Sequence, residues 1–433
     1  MAVTTFAASS VFAQSSPAPP AASECCFADA LRIAKQFRVK GLDSRRFTHD
    51  VFWRVVAPSL ASPALRTEEI GKSLQGRSIR KVTFGKGATK VLLWSQMHGD
   101  ESTATMALAD IFAYLAAPAS DSIRARLGRE LTIVFIPMLN PDGAQQFQRR
   151  NAAGVDVNRD ARRLATPEAR ALKGERDRLR PDFGFNLHDQ NARTLVGPGG
   201  KQAAIALEVP AYSADGGYNE VRSRGRLVAA TVADMFSTQI PGRIAKYDET
   251  FNPRAFGDNM QKWGASTILI ESGALPDDPE KQRLRTLNAA AILGALDAIA
   301  SGSYARADPA DYESLPSNEG GAHNILVTGG KLVLPGEEPT RIDLAIDYDD
   351  AVAHRGPRLR DAGDLAEEVA IDTVDATGLF VHPVGPSVAR GKAGARLLMG
   401  APASFDIRRG AEASSTLVEH VGVLAANRGG QHP

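Results

Sequence analysis

Three side chains that could ligate a metal ion lie where predicted strands end. His98 follows the apolar run 91–97, Glu101 comes three residues later in the segment HGDE, and His188 follows the run 183–187. The carboxyl ends of strands in an open α/β sheet border the crevice that binds ligands, so we expect these side chains to face one cleft. Two imidazoles and one carboxylate are the ligand set of a catalytic zinc ion, which leaves the fourth tetrahedral position to water. Water bound there has a pKa of about 7, and it is a nucleophile at neutral pH.

Strands and helices alternate around these residues. Apolar runs at 91–97, 131–138, 183–187 and 266–270 have the length of buried strands. Five apolar residues between the first two runs share one face of a predicted helix, namely Ala104, Leu108, Ile111, Phe112 and Leu115. Thr166 and Pro167 have the residue types that begin a second helix, and Pro181 follows its end. This alternation predicts an α/β fold with helices on the faces of a sheet.

A Pro-, Gly- and acid-rich stretch separates this region from a different pattern. Short alternating runs with turn residues between them fill the segment from 325 to 384, which predicts a small all-β domain. The expected organisation is therefore a signal-peptide remnant and linker at 1–24, a catalytic domain at 40–302, a linker at 303–320 and a β-rich domain at 321–425. An acidic block at 337–378 holds twelve carboxylates and four arginines; it could bind a cation or a basic partner, but we favour a solvated face.

Composition narrows the classes of partner. The chain has 51 Lys and Arg against 50 Asp and Glu among its 433 residues, so no global field favours nucleic acid. Outside the N-terminus no run of about 18 apolar residues predicts a membrane span. The segment Val11–Ala13 resembles a signal-peptidase site, although no basic residue precedes it. We therefore expect a periplasmic or secreted protein, or a cytoplasmic one if this is no export signal. The oligomeric state stays open.

Four further motifs follow in the order of a known family. They are the segment GKSLQGRSIR, the turn NPDG at 140–143, the run QRRN through GVDVNR at 148–159, and ILIESG with Glu271 at a strand end. Together with HGDE and HDQ they resemble the zinc metallocarboxypeptidases, the carboxypeptidase A-like family. The resemblance covers about residues 40 to 300. It implies a mixed twisted β-sheet flanked by helices and one Zn²⁺ per chain.

The resemblance also implies a role for each residue. His98, Glu101 and His188 match the zinc ligands, and Glu271 matches the general base that takes a proton from the attacking water and returns it to the leaving nitrogen. Arg149, with Arg150 one register step away, matches the cation that stabilises the oxyanion. Asn158 and Arg159 match the pair that binds the substrate's terminal carboxylate, for which a guanidinium is suited because it donates two parallel hydrogen bonds. Tyr247 is the nearest candidate in sequence for the family's mobile tyrosine.

Several positions depart from the family pattern or stay ambiguous. Asp160 stands where many members have Asn, and Asp100 where the best-known digestive members have Arg. Asp258, in the stretch that shapes the side-chain pocket, could favour a basic substrate side chain or could be a buried carboxylate bonded to backbone N–H groups. In the C-terminal region, which resembles either an accessory β-sandwich or the small β domain of amidohydrolases, we assign no chemistry to His354 and His382.

The predicted function is that of a zinc metallocarboxypeptidase acting on peptide or peptide-like substrates with a free carboxylate. One alternative keeps the metal and changes the substrate, as in zinc amidases or deacylases that act on peptidoglycan peptides or N-acyl amino acids. The other alternative is a catalytically inactive member of the family that uses the cleft for binding.

Overall fold

The structure is a computed structural model that describes residues 22–117, 122–391 and 394–422. Most of the predicted export segment lies outside the described residues, as do the side chains of Cys25 and Cys26. The described helices are α1 (Ala22–Gln36), α2 (His49–Leu60), α3 (Thr103–Ala116), α4 (Ser122–Glu130), α5 (Pro141–Gln146), α6 (Pro167–Leu179), α7 (Glu220–Ser237), α8 (Phe256–Lys262), α9 (Gln282–Ser301) and α10 (Ala310–Glu313).

Strands fall into two groups along the chain. Those before residue 302 are β1 (Leu65–Lys72), β2 (Ser78–Gly85), β3 (Thr89–Ser95), β4 (Leu131–Ile136), β5 (Phe183–Asp189), β6 (Leu195–Val196), β7 (Ile205–Glu208), β8 (Ile244–Lys246) and β9 (Ser266–Ser272). Those after it are β10 (Asn318–Glu319), β11 (His323–Leu332), β12 (Thr340–Asp350), β13 (Arg355–Gly363), β14 (Ala370–Asp375), β15 (Phe380–Pro383), β16 (Val388–Gly391), β17 (Gly394–Leu397), β18 (Ser404–Arg408) and β19 (Leu417–Gly422).

Eight of the nine strands in the first group form one mixed sheet in the order β1-β2-β4-β3-β5-β9-β7-β8, and β6 lies outside it. The inner strands β4, β3, β5 and β9 are parallel to one another, whereas β7 runs antiparallel to β9. Side chains alternate between the two faces of a strand. Leu93 accordingly packs into the core shared with α3, α7 and α9, while Leu92 and Trp94 pack into the opposite core beside α6 and α8. The prediction of a mixed sheet flanked by helices is confirmed.

Helix α3 is more deeply buried than its single apolar stripe indicates. Twelve of its 14 residues are buried, including Thr103 and Asp110. Asp110 is neutralised by the buried guanidinium of Arg285, whose Nε lies 2.8 Å from Asp110 Oδ2. The α3 helix therefore lies inside the molecule, and the sequence pattern detected only one of the faces that it buries.

The predicted start of α6 is confirmed, with the Thr166 hydroxyl accepting a hydrogen bond from Ala169 N and Pro167 in the first turn. The charged face of this helix is not wholly solvated, because Glu168 and Glu175 are also buried. Glu175 lies 3.3 Å from the buried Lys81 ammonium of β2. The α6 helix thus packs on the sheet through ion pairs as well as through apolar contacts.

Residues 323–422, which we call the C-terminal β unit, contain a second sheet of seven strands and a separate pair, β16 and β17. The path of the second sheet is β13-β12-β11-β15-β18-β19, and β14 pairs with β11. The predicted all-β character of this region is confirmed. We call the eight-stranded sheet and its helices the first unit. The stretch at 303–320 packs against this unit, since Tyr312 is fully buried in its core and β10 pairs with β6.

Helix α9 is long and apolar enough, by length and composition, to cross a membrane. The sequence had suggested no such run. However, 83% of the apolar window of α9 is buried inside the structure, where it contacts α1, α3 and α7. These contacts are those of the core helix of a folded domain.

Candidate metal centre

The sheet places the predicted metal ligands at one edge. His98 follows β3, His188 lies near the end of β5, and Glu271 lies in the neighbouring strand β9 directly opposite His188 in the parallel register. Glu101 belongs to the turn between His98 and α3. The carboxyl ends of three adjacent parallel strands therefore carry these groups, as expected for the crevice of an α/β sheet.

Two glycines explain why the HGDE and NPDG motifs occur together. A Cβ atom on Gly99 would lie 1.9 Å from the carbonyl carbon of Gly143, so the two backbones are in direct contact. Asn140 begins α5, accepts a hydrogen bond from Gly143 N at 2.9 Å and donates to Met97 O at 3.3 Å. The NPDG segment is therefore a short helix start that supports the turn carrying His98 and Glu101.

The GKSLQGRSIR segment reaches the same place. Asp142 of α5 accepts hydrogen bonds from Ser73 Oγ at 2.7 Å and from Gln75 N at 3.0 Å. Arg77 Nη1 lies 2.7 Å from the same carboxylate, which is almost fully buried. Three motifs that the sequence shows as separate are thus one packed support beneath the site.

His98, Glu101 and His188 form a group whose ligand atoms all lie within 4.8 Å of one another. The Nδ1 atoms of both histidines point at the Glu101 carboxylate, with His98 at 2.8 Å from Oε1 and His188 at 2.6 Å from Oε2. All three residues are buried. Among the described residues no second group of three His, Cys, Asp or Glu side chains has this arrangement. Two imidazoles and a carboxylate so placed could hold a metal ion.

The charges within this group shift the titration of each member. Burial acts to raise the pKa of Glu101, but the two histidines outweigh it and hold that pKa well below its usual range. Burial acts to lower the pKa of His98, yet Glu101 and Asp156 raise it to about 9. The pKa of His188 is lowered, because burial is the largest influence on it. Glu101 is therefore ionised at neutral pH, which is the form of a carboxylate that binds a metal ion.

Asp156 orients His98 from behind, a role that the sequence motifs did not reveal. Its Oδ1 lies 3.0 Å from His98 Nε2, and its Oδ2 accepts hydrogen bonds from Arg149 Nε and Nη2 at 3.2 and 3.1 Å. Arg149 Nη1 also lies 3.1 Å from Glu101 Oε1. A carboxylate on the far ring nitrogen fixes the orientation and tautomer of a ligating histidine. Asp156 lies within the quoted segment GVDVNR, so only its contacts identify the role.

Glu271 is buried and has one carboxylate oxygen, Oε2, without a hydrogen-bond partner in the part of the chain that the structure describes. Burial, followed by the nearby Glu101 carboxylate, raises its pKa well above the usual value. A buried carboxyl group whose pKa is raised in this way is suited to move protons.

One cavity of about 470 Å³ contains most of the remaining predicted residues. Its lining includes Arg149, Asn158, Arg159, Tyr247 and Glu271, together with His98 and Glu101. Arg150 does not line it and instead donates from Nη1 to Gly154 O at 3.1 Å. Of the two neighbouring arginines, Arg149 is therefore the one that faces the metal centre.

The proposed carboxylate clamp is built against α8. Asn158 Oδ1 accepts a hydrogen bond from Phe256 N at 2.8 Å, and Arg159 Nη1 donates to Asn158 O at the same distance. Asp160 is turned away from the cavity and accepts hydrogen bonds from Ala165 N and Thr166 N. It therefore supports the start of α6 rather than adding charge beside the clamp.

Tyr247 lies directly after β8, with its backbone N–H donating to Leu207 O at 2.8 Å. The negative charge of Glu271 is the first cause that raises the pKa of its hydroxyl, and burial is the second. This proximity puts Tyr247 on the side of the cavity that Glu271 borders. Its place in the cavity agrees with the sequence expectation, while its role remains a prediction.

Two acidic side chains line the far side of the same cavity. Glu208, at the end of β7, is 7% exposed, and its side-chain carboxylate has no hydrogen bond or ion pair within the described ranges. Asp258, in the first turn of α8, accepts a hydrogen bond from Asn252 N at 2.7 Å, and burial raises its pKa to about 6. The reading of Asp258 as a buried carboxylate bonded to the backbone is confirmed, and because it also lines the pocket, a preference for basic side chains stays a prediction. Glu208 gave no signal except its place at the end of an apolar run.

Lys281 links the ends of β5 and β9. Its ammonium donates to Asp189 Oδ2 at 3.0 Å and to Ser272 O at 3.1 Å, next in the chain to His188 and Glu271. The same Asp189 oxygen accepts from Thr103 Oγ1 at 2.7 Å. One buried cation thereby fixes the spacing between a metal ligand and the candidate base.

His354 and His382 lie elsewhere. The His354 ring stacks on Tyr348 with centroids 5.0 Å apart, and His382 Nε2 lies 3.0 Å from Gly410 O. Both contacts are made with residues of the C-terminal β unit.

Comparison with known proteins supports the motif analysis in the first half of the chain. A family model described as zinc carboxypeptidase matches residues 59–179, which include His98, Glu101 and Arg149. The similarity to the zinc carboxypeptidase family is thus found in this segment of the chain. The resemblance drawn from the motifs is confirmed there, whereas His188 and Glu271 lie beyond the matched residues.

Similar proteins carry related names. The probable carboxypeptidase 2 of Arthroderma benhamiae is 32% identical over 111 residues, which are 25% of this chain and 21% of that protein. An uncharacterized protein of Zymomonas mobilis is 28% identical over 148 residues, covering 33% of this chain and 38% of its own length. The match to the fungal carboxypeptidases thus spans about a fifth of their length.

Among solved structures, a metallo-carboxypeptidase from Burkholderia cenocepacia is similar to this chain with 17% identity and a TM-score of 0.48. The alignment covers 60% of this chain and 70% of that one. A similarity of this extent does not bear on activity.

Proposed function

We propose that the protein is a zinc-dependent metallocarboxypeptidase that hydrolyses the C-terminal peptide bond of peptides. The supporting observation is the convergence of His98, Glu101 and His188 at one edge of the sheet, with a partly unpartnered Glu271 alongside in the same cavity. The same cavity is lined by Arg149 and Arg159, whose positive charges such a reaction needs.

The donor set fits the metal. His98 and His188 offer Nδ1 atoms to the same point, Glu101 offers its carboxylate, and Asp156 holds His98 from behind. Zinc held there would act as a Lewis acid on the scissile carbonyl and would lower the pKa of water.

Glu271 is the residue that would move the proton. It would accept a proton from the attacking water and deliver it to the leaving nitrogen, which restores the carboxylate for the next cycle. The cation in the site would oppose the upward shift of its pKa, since a bound cation is the largest local charge. Glu271 would then be ionised when the substrate binds.

Arg149 and Arg159 divide the remaining charges between them. Arg149 lines the cavity, where Asp156 and Glu101 hold it, and its guanidinium would stabilise the oxyanion that develops at the carbonyl. Arg159, with Asn158 beside it, would bind the free carboxylate of the substrate, which selects the end of a peptide over an internal bond.

A substrate comparison tests the proposal. The zinc-loaded protein should release the last residue from an N-blocked dipeptide, and amidation of that terminal carboxylate should reduce kcat/KM by about 100-fold or more, as for loss of a charge-assisted bidentate contact. Equal rates on both substrates would favour the amidase reading instead. No turnover of either would overturn a hydrolytic function.

Matched variants test the residue roles. Arg149→Ala should reduce kcat by about 10²-fold to 10³-fold, whereas Arg150→Ala, one residue along and outside the cavity, should leave kcat close to that of the parent. Glu271→Gln should bind zinc and lose about 10²-fold to 10⁴-fold in rate. A Glu271→Gln protein with parental turnover would refute the assignment of the base.

A further inference from the structure

A second cavity, of about 420 Å³, lies where the C-terminal β unit meets the first unit. We call it the inter-unit groove. One wall contains Arg46, Asp100 and Phe147 of the first unit, and the other contains Tyr348, Ala351 and Val352 from the end of β12 and the turn that follows.

The inter-unit groove adjoins the metal centre. Asn191 lines both the groove and the first cavity, and Asp100 lies in the turn between His98 and Glu101. The first cavity is lined by Glu208 and Tyr247, which lie at the end of β7 and directly after β8, whereas the groove is lined by Asp100, which follows β3, and by residues of the C-terminal β unit. Apart from Asn191, the two cavities therefore have different walls.

The outer wall of the groove is fixed in place. Asp350 pairs with Arg45 and lies 3.2 Å from Arg46 Nη2, and Asp347 lies 3.1 Å from Arg193 Nη1. Arg45 has only 10% of its side chain exposed. Such partly buried pairs hold the turn of the C-terminal β unit against the first unit, so the groove is a built feature rather than a loose gap.

The groove lining suits a peptide chain. Asp100 lines the groove, and its Oδ1 atom is buried without a hydrogen-bond partner among the described residues. Arg46 lies over the Phe147 ring at 4.7 Å, which gives a flat surface for a side chain. Three arginines and three aspartates line the groove, so their charges balance.

We propose that the inter-unit groove binds the residues of a peptide substrate that precede the scissile bond, so that the C-terminal β unit contributes part of the substrate-binding site. This inference rests on the proposed function. The terminal residue would occupy the first cavity, where Arg159 lies, and the rest of the chain must then leave the metal centre by another way. The groove is the neighbouring cavity, and it shares the lining residue Asn191 with the first cavity.

The experiment compares two substrates that end in the same residue, an N-blocked dipeptide and a peptide of six residues. Ala351→Trp and Val352→Trp would each put an indole into the groove from a partly exposed turn. Ala366→Trp is the matched control, because Ala366 is exposed in the same unit and does not line the groove. Circular dichroism and thermal melting would check that each variant folds.

For the groove variants, kcat/KM for the longer peptide relative to the dipeptide should fall by about 10-fold or more, mainly through KM. The Ala366→Trp protein should keep the parental ratio. An unchanged ratio in both folded groove variants would overturn the inference. A parent protein whose kcat/KM for the longer peptide is no higher than for the dipeptide would overturn it as well. Failure of the proposed function is distinguishable, because the parent would then not cleave even the dipeptide.

Discussion

Replacement of Asp156 by Asn tests whether the structure explains the metal centre. The substitution keeps an acceptor for His98 Nε2, which now lies 3.0 Å from Asp156 Oδ1, but it removes a negative charge that two Arg149 nitrogens also contact. Loss of such an outer partner typically weakens metal affinity or activity by 10-fold to 100-fold, or about 1.4 to 2.7 kcal/mol. We expect the upper part of this range, because the residue is only 9% exposed and orients both His98 and Arg149.

The assay is competition for Zn²⁺ with a chromophoric chelator, followed by kcat/KM on the blocked dipeptide. Asp160→Asn is the matched control, since Asp160 is also buried but bonds to the backbone of 165–166 outside the cavity. It should lower the melting temperature without changing zinc affinity in the folded protein. If the folded Asp156→Asn protein binds zinc with parental affinity, the orienting role of Asp156 is refuted.

Three other predictions concern pH, stability and metal removal. Burial raises the pKa of Asp258 to about 6, so its carboxylate gains its negative charge as pH rises. The kcat/KM for a peptide ending in Arg, relative to one ending in Leu, should therefore increase between pH 5 and 7. The Asp258→Asn substitution should flatten this profile. Lys281→Met leaves the buried Asp189 carboxylate without its cation and should cost about 3 to 5 kcal/mol in urea unfolding, whereas Met at the exposed Lys262 should have little effect. Chelation of protein that held zinc at 100 times its Kd should remove about 2.7 kcal/mol of stability, measured as a lower Tm, and an unchanged Tm would contradict a zinc site.

Sequence reasoning reached the groups that follow regular strands. His98, His188 and Glu271 could be predicted to share an edge because β3, β5 and β9 are apolar runs of buried-strand length, and parallel strands end on one side. The boundaries of α6 could be predicted because Thr166 and Pro167 act locally. In each case the information lies within a few residues of the chain.

The rest depends on contacts between distant residues. Asp156 acts through His98, which is 58 residues away, and it lies in an irregular loop with no periodicity to position it. Glu208 reaches the cavity because the short strand β7 runs antiparallel to β9, a pairing that no local pattern specifies. Glu175 pairs with the buried Lys81, and a charged residue in a helical pattern gives no sign of a partner on a distant strand. Tertiary pairing decides all three.

The contacts of Arg45 bear on how separable the two sheets are. Its guanidinium pairs with Asp350 of the C-terminal β unit, and its carbonyl accepts a hydrogen bond of 2.6 Å from Ser102, the neighbour of Glu101. Loss of the C-terminal β unit would remove the carboxylate that pairs with Arg45, whose backbone carbonyl supports the turn beside Glu101. The second sheet is therefore linked, through two successive side-chain contacts, to the segment that carries a candidate metal ligand.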